Sequence, residues 1–250
     1  MLRPAAVLLA LAAVACGGSQ QSESNAPPPP TVSPVDAATA GTIAGRITFE
    51  GTAPPAQPIR MDSDPNCSRQ SAGATEQPVM VGNNGALQNV FVYVKDGLGN
   101  LRFPVPATPA VLDQKGCVYT PRVLGVQVGQ AMEILNSDPT LHNVHAVPMS
   151  NQEFNMGYPI QGMKHTHTFS TKEVMVPFKC DVHGWMRAWV GVLDHPYYGV
   201  TGADGSFTLK GLPPGTYTVE AWHEALGTQT QTVTIGARES KDIAFTFKAA

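Results

Sequence analysis

An all-β fold is predicted for the chain from residue 41 onward, on three observations. Apolar and polar residues alternate there with period two, in runs rich in β-branched side chains. Gly, Pro, Asn or Asp breaks these runs roughly every eight to twelve residues, as in sandwiches and barrels. No stretch carries an apolar stripe at helical spacing.

The first element is an export signal over residues 1–15: Arg3, then an apolar run from Ala5 to Ala15, too short to span a bilayer. Cys16 follows a small residue and reads as a lipid anchor; the alternative is ordinary cleavage after Ala13-Val14-Ala15. Residues 16–40, with Gly17, Gly18 and the run Pro27 to Pro30, have too few apolar groups to order and read as a linker. A periplasmic location follows. The net charge of -3 and the lack of a Lys/Arg cluster make nucleic acid and anionic lipid surfaces poor partners, apart from the tether at Cys16.

Strands are expected at Thr42 to Phe49 and Asn89 to Lys95, then Val123 to Val128, Met132 to Asn136 and His142 to Val147. Further strands are expected at His165 to Ser170, Val174 to Phe178 and Arg187 to Leu193. The last group is Ser206 to Leu209, Thr216 to His223, Gln229 to Ile235 and Asp242 to Phe247. Asp204-Gly205 reads as a tight hairpin turn, and Leu212-Pro213-Pro214-Gly215 as a stiff turn aiming Tyr217 at the core. With the early strands Gly41 to Gly51 and Val90 to Val94, the segment Thr201 to Tyr217 resembles the carboxypeptidase regulatory-like, or transthyretin-like, β-sandwich family. That resemblance implies a scaffold or binding surface and no chemistry of its own. Residues 41–107 and 195–250 are then two parts of one sandwich, with 108–194 inserted in it or packed beside it.

Cys67 and Cys117 are an even pair in an oxidising compartment and are expected to be joined; the alternative is two buried free thiols. By chain entropy, closing that loop contributes ~4 kcal/mol.

Chemistry concentrates in Cys180-Asp-Val-His183-Gly-Trp-Met186. A thiolate, an imidazole and a thioether at this spacing suit copper, which favours soft sulfur with imidazole. A zinc site would instead bring four Cys/His ligands. A further ligand from another strand is expected at His142; His145, taken to share its strand face, is the alternative. Here the sequence resembles the cupredoxins, and the amicyanins in particular. Tyr119-x-Pro121 and Val126-x-Val128-Gly129 are similar to that family's early strands, His142-Asn143-Val144-His145 to its first ligand strand, and His183-x-x-Met186-Arg187 to its ligand loop. The resemblance covers nearly all of 109–194 and implies a Greek-key sandwich holding one copper. His142, Cys180 and His183 would be strong ligands and Met186 a weak axial one. Asn143 would tie the ligand strand to the Cys180 loop, and Trp185 would cover the ion. Gly184 and Trp185 depart from the loop's usual Pro and Phe, and Met175-Val-Pro-Phe-Lys179 lacks the usual Tyr pair.

The implied function is electron transfer, not catalysis, with a redox protein such as a cytochrome c or dehydrogenase as partner. Its rivals are a carbohydrate- or protein-binding module with structural or stored copper, and a copper enzyme needing another metal. The loop position of His183 implies an imidazole edge at the surface, ringed by Gly184, Trp185 and Pro148 as an uncharged docking patch. His165 and His167 read as exposed strand residues, His195 and His223 as turn and packing residues, and Asp204 as a turn residue, not a calcium ligand.

Overall fold

The computed structural model describes residues 35–249, so the export segment, Cys16 and most of the linker lie outside the described residues. The first elements in chain order are β1 (Gly41–Glu50), β2 (Gln57–Pro58), α1 (Pro65–Gln70), β3 (Thr75–Glu76) and β4 (Phe91–Asp96). Next come β5 (Ala110–Gln114), β6 (Tyr119–Thr120), β7 (Val123–Gln127), β8 (Ala131–Asn136) and β9 (His142–Ala146). They are followed by β10 (Phe154–Tyr158), β11 (Lys164–Thr168), β12 (Glu173–Lys179) and β13 (Arg187–Leu193). The chain ends with β14 (Tyr198–Val200), β15 (Ser206–Leu212), β16 (Gly215–His223), β17 (Gly227–Ile235) and β18 (Ser240–Lys248).

Every strand expected from the sequence is present, with ends shifted by no more than three residues. The strands not anticipated are short, such as β14, or interrupted by polar residues, such as β10 with Asn155 and Gly157. Helix α1 was also not anticipated. Its six residues are too few to show a stripe, and its start is set locally. The Asp64 carboxylate accepts hydrogen bonds from the N–H groups of Asn66 and Cys67, and Pro65 sits where no N–H is needed.

The strands form two sandwiches. In the first, sheets ordered β15-β1-β18 and β14-β4-β16-β17 enclose Ile43, Ile47, Val92, Val94, Tyr217, Val219, Phe245 and Phe247. In the second, sheets ordered β10-β9-β12-β13-β7 and β11-β8-β5-β6 enclose Leu112, Ile134, Val144, Tyr158, Phe169, Phe178 and Val190. Here β13 runs parallel to β7 and β5 parallel to β8, while neighbours such as β9 and β12 are distant in sequence. These are the crossings of a Greek key. Beyond Asp204 the chain does not fold back as a hairpin: Gly205 N–H donates to Gly202 O, but β14 and β15 lie in different sheets. The turn is tight because Gly205 takes φ 70°, and it carries the chain across the sandwich. Tyr217 does reach the core, its hydroxyl donating to Pro213 O at 2.6 Å.

Strand β4 joins the two bodies because both its faces are buried. Val92 and Val94 point into the first core, while Phe91 and Tyr93 point at the second sandwich, against Val123, Met175 and Leu193. Removing a ring like Phe91 from water contributes about 2–3 kcal/mol. The second sandwich receives it in a slot. Gly125 and Gly191 are register partners on β7 and β13, and a Cβ at either would lie 2.2–2.4 Å from the Tyr198 or Phe91 ring. A bulge in β12 brings Met175, at φ 64°, to the same interface. Arg122 closes the rim with ion pairs to Glu76 and Glu224.

Candidate metal centre

The antiparallel pair β12 and β13 ends at Lys179↔Arg187, so the chain between them must make a short loop. Cys180 N–H donates to Met186 O at 3.3 Å and Met186 N–H to His183 O at 2.9 Å, which folds the loop onto itself. Strand β9 lies on the other side of β12, paired Phe178↔Ala146 and Lys179↔His145, and this brings His142 beside the loop.

Three donor atoms converge. His142 Nδ1 lies 2.9 Å from His183 Nδ1, Cys180 Sγ lies 3.9 Å from His183 Nδ1, and all three fall within 4.8 Å of one another. Nitrogens 2.9 Å apart can each sit about 2 Å from a shared ion. Met186 is fully buried in the same core cluster as Cys180. His142 is 0%, Cys180 2% and His183 2% exposed, so all three side chains are shut off from solvent. Burial pushes the Cys180 thiol up, but its contact with the His183 ring and hydrogen bonds from the backbone of Asn143, His183 and Val182 outweigh it. The net shift is downward, toward the thiolate that binds metal.

Each imidazole is held by its outer nitrogen. His142 Nε2–H donates to Asp138 Oδ2 at 2.9 Å, and the same carboxylate accepts from the N–H groups of Gly116 and Cys117. His183 Nε2–H donates to Asp64 Oδ2 at 3.2 Å, an oxygen that also accepts from the Thr140 hydroxyl. These bonds leave both Nδ1 lone pairs facing inward, the tautomer a metal requires. Burial pushes Asp64 up, but hydrogen bonds from Thr140, Cys67, Asn66 and His183 prevail and hold it at about 2. Asn143 Oδ1 accepts from Asp181 N–H, which ties β9 to the loop that follows β12.

Asp64 and Asp138 went unread in the sequence. Asp138 stands four residues before His142, and Asp64-Pro65 is a helix-start signal, but neither spacing announces a contact to a histidine. Helix α1 also overturns the expected exposure of His183. The ring edge lies behind Asp64, with Cys67 Sγ 3.8 Å from Nε2, and does not reach the surface. Cys67 and Cys117 are bonded, tying the β1–β4 connection to the turn between β5 and β6. Trp185 packs 5.0 Å from the His183 ring, and its Nε1–H donates to Cys117 O.

His145 does not share the face of His142. Three residues on, it points the other way, between Asp181 and Glu153. His165 and His167 are half-buried, not exposed, and His167 stacks on Phe154 at 4.1 Å. His195 and His223 are packing residues whose Nδ1 atoms accept from the N–H groups of Tyr197 and Ala225.

A family profile for the carboxypeptidase regulatory-like domain matches residues 189–248, from within β13 to the end of β18. Among solved structures, a purple cupredoxin from Nitrosopumilus maritimus is similar at 21% identity and TM-score 0.29, over 33% of this chain and 98% of that one. An oxidised amicyanin variant is similar at 27% identity and TM-score 0.30, over 34% and 81%. A copper-containing nitrite reductase from Thermus scotoductus is similar at 17% identity and TM-score 0.34, over 40% of this chain and 26% of its own. The chain thus spans about a quarter of that reductase. The two resemblances read from the sequence are the ones these comparisons return. A search of curated protein sequences finds no match.

Proposed function

We propose that this is an exported mononuclear copper protein that passes single electrons between redox proteins. The observation that carries the reading is the donor set: two Nδ1 atoms and one thiol, buried and within 4.8 Å of one another, each imidazole clamped from behind by a carboxylate. Soft sulfur with two imidazoles and a nearby thioether fits copper better than zinc, calcium or magnesium. Copper bound there would alternate between cuprous and cupric states and so carry one electron. His142, Cys180 and His183 would bind strongly and Met186 weakly. The strand-and-loop hydrogen bonds, with Asp64, Asp138 and Asn143 behind them, hold the donors in one arrangement. Four protein ligands would leave no open position on the ion for a substrate, which favours a carrier over a catalyst.

The export segment and Cys16 support a periplasmic protein tethered by lipid, and a cytochrome c or a dehydrogenase is the class of partner the reading calls for. Visible and EPR spectra of the copper-loaded protein test it. An intense thiolate-to-copper band with reversible one-electron reduction is expected. Copper bound without that band would overturn the assignment.

A further inference from the structure

We propose that helix α1 is a lid on the metal pocket, sealed by the Cys67–Cys117 bond, and that the ion enters before the bond forms. The inference rests on the metal-site reading for its metal, but not for the lid itself.

The lid comes from outside the sandwich that holds the donors. Helix α1 lies in the long connection between β1 and β4, whereas all four donors follow β8. It meets the pocket through Asp64, bonded to His183 and Thr140, through Asn66, whose Nδ2–H donates to Pro139 O, and through Cys67. The opposing turn is built to receive it. Ser71 donates to Gly116 O, Asp138 gathers the Gly116 and Cys117 N–H groups, and Trp185 donates to Cys117 O. Beneath lies a small apolar cluster of Met61, Cys67 and Cys117, with Ile59, Ala74 and Trp185 at its edge.

A few hydrogen bonds over so small a cluster make a segment that opens locally on its own. The disulfide changes this, because it fixes the lid beside His183 by a second, covalent anchor. Both sulfurs are 0% exposed, so an attacking thiolate cannot reach them while the lid is shut. The bond therefore acts as a seal more than as a switch. With donors 0–2% exposed beneath it, an ion has no direct way in once the bond is made. Loading belongs to the dithiol stage. Closure then follows by ordinary exchange: one cysteine thiolate attacks the disulfide of a protein oxidant to form a mixed disulfide, and the other cysteine displaces the oxidant. Two electrons and two protons pass from the cysteine pair to the oxidant, which leaves as its dithiol.

The test compares the oxidised metal-free protein with a Cys67→Ser/Cys117→Ser variant by two readouts. The first is alkylation of Cys180 by iodoacetamide, located by mass spectrometry. The second is uptake of cobalt(II), which does not oxidise thiols, followed by its thiolate band. Both rates are expected to be faster in the variant by up to roughly 1,000-fold, the scale on which a cross-link of this loop length biases an opening equilibrium. Equal alkylation rates would overturn the lid. Faster alkylation with no cobalt uptake by either protein would support the lid and refute the metal site. If the variant does not fold, wild-type protein refolded anaerobically with its thiols reduced supplies the same comparison.

Discussion

Substituting Gly191 by alanine should break the joint between the two sandwiches. A Cβ there would lie 2.4 Å from Phe91 Cζ and 2.6 Å from Met175 Cε. Carbons in contact sit about 3.5–4.0 Å apart, so the methyl overlaps a buried ring by more than an ångström. Met175 Cε ends a flexible side chain and can move aside, but the ring cannot simply give way. Phe91 is held between Tyr93 and Tyr198, with ring centroids 5.5 and 5.7 Å away. Overpacking of this kind costs about 1–3 kcal/mol, more than the ~0.5–1 kcal/mol a strand gains from Gly→Ala. Urea unfolding followed by circular dichroism measures the loss, and tryptophan fluorescence reads the joint itself through the Trp189–Trp222 pair. Gly157→Ala is the control, since its Cβ would meet nothing within 4 Å and should leave stability level or slightly raised. Phe91→Leu shortens the offending ring, so Gly191→Ala should cost much less in that background. Wild-type stability in the single variant, or the same loss with and without Phe91, would refute the slot-and-ring account.

Cys180→Ser should abolish the visible band of the copper form while circular dichroism stays unchanged; a surviving band would remove Cys180 from the ligand set. Met186→Gln should keep copper and lower the potential, whereas His142→Ala should weaken binding strongly; titration showing equal loss in both would make Met186 a strong ligand. His195 is a pH sensor of the fold. Burial first, then the charge of Lys172, lowers it to about 4 from an ordinary 6.5. The unfolded chain therefore binds the proton first as pH falls. The stability held by neutral His195 is complete above pH 6.5 and is lost toward pH 4, by about 3 kcal/mol. His195→Gln should flatten the stability profile in that window, as measured by unfolding at successive pH values. An unchanged slope would place the acid sensitivity elsewhere.

The fold was legible where a pattern is local. Alternation placed β1, β13, β16 and β18 nearly to the residue, because a strand buried on one face must repeat every second side chain. The convergence of His142, Cys180 and His183 was legible because two of them share one loop and the third heads a strand of matching pattern. What was not legible depends on register between distant segments. His145 is different: its face was legible, because a separation of three residues along β9 puts it opposite His142. Neither Asp64 nor Asp138 signals in sequence that it will hold a histidine. The glycine slot is equally silent, since Gly125 and Gly191 look like strand weaknesses until Phe91 and Tyr198 fill them.

The covering of His183 alters what the two-sandwich arrangement is for. Were the donor sandwich alone, His183 Nε2 would face water across the space that Asp64 and Cys67 now occupy. The first sandwich supplies that carboxylate through its β1–β4 connection, so it completes the shell of a site whose donors all belong to the other body. The same β4 that ends this connection carries Phe91 into the glycine slot. Non-covalent docking at one end and a disulfide at the other hold the connection at two points, and α1 lies between them. On the copper reading, a histidine held in this way would not swing out as its metal changed charge, which would keep reorganisation small. On the copper reading, an electron leaving by this side would cross helix α1 or the Trp185 ring, which is tilted 38° against His183 at 5.0 Å, so a partner would read a surface made by both sandwiches together.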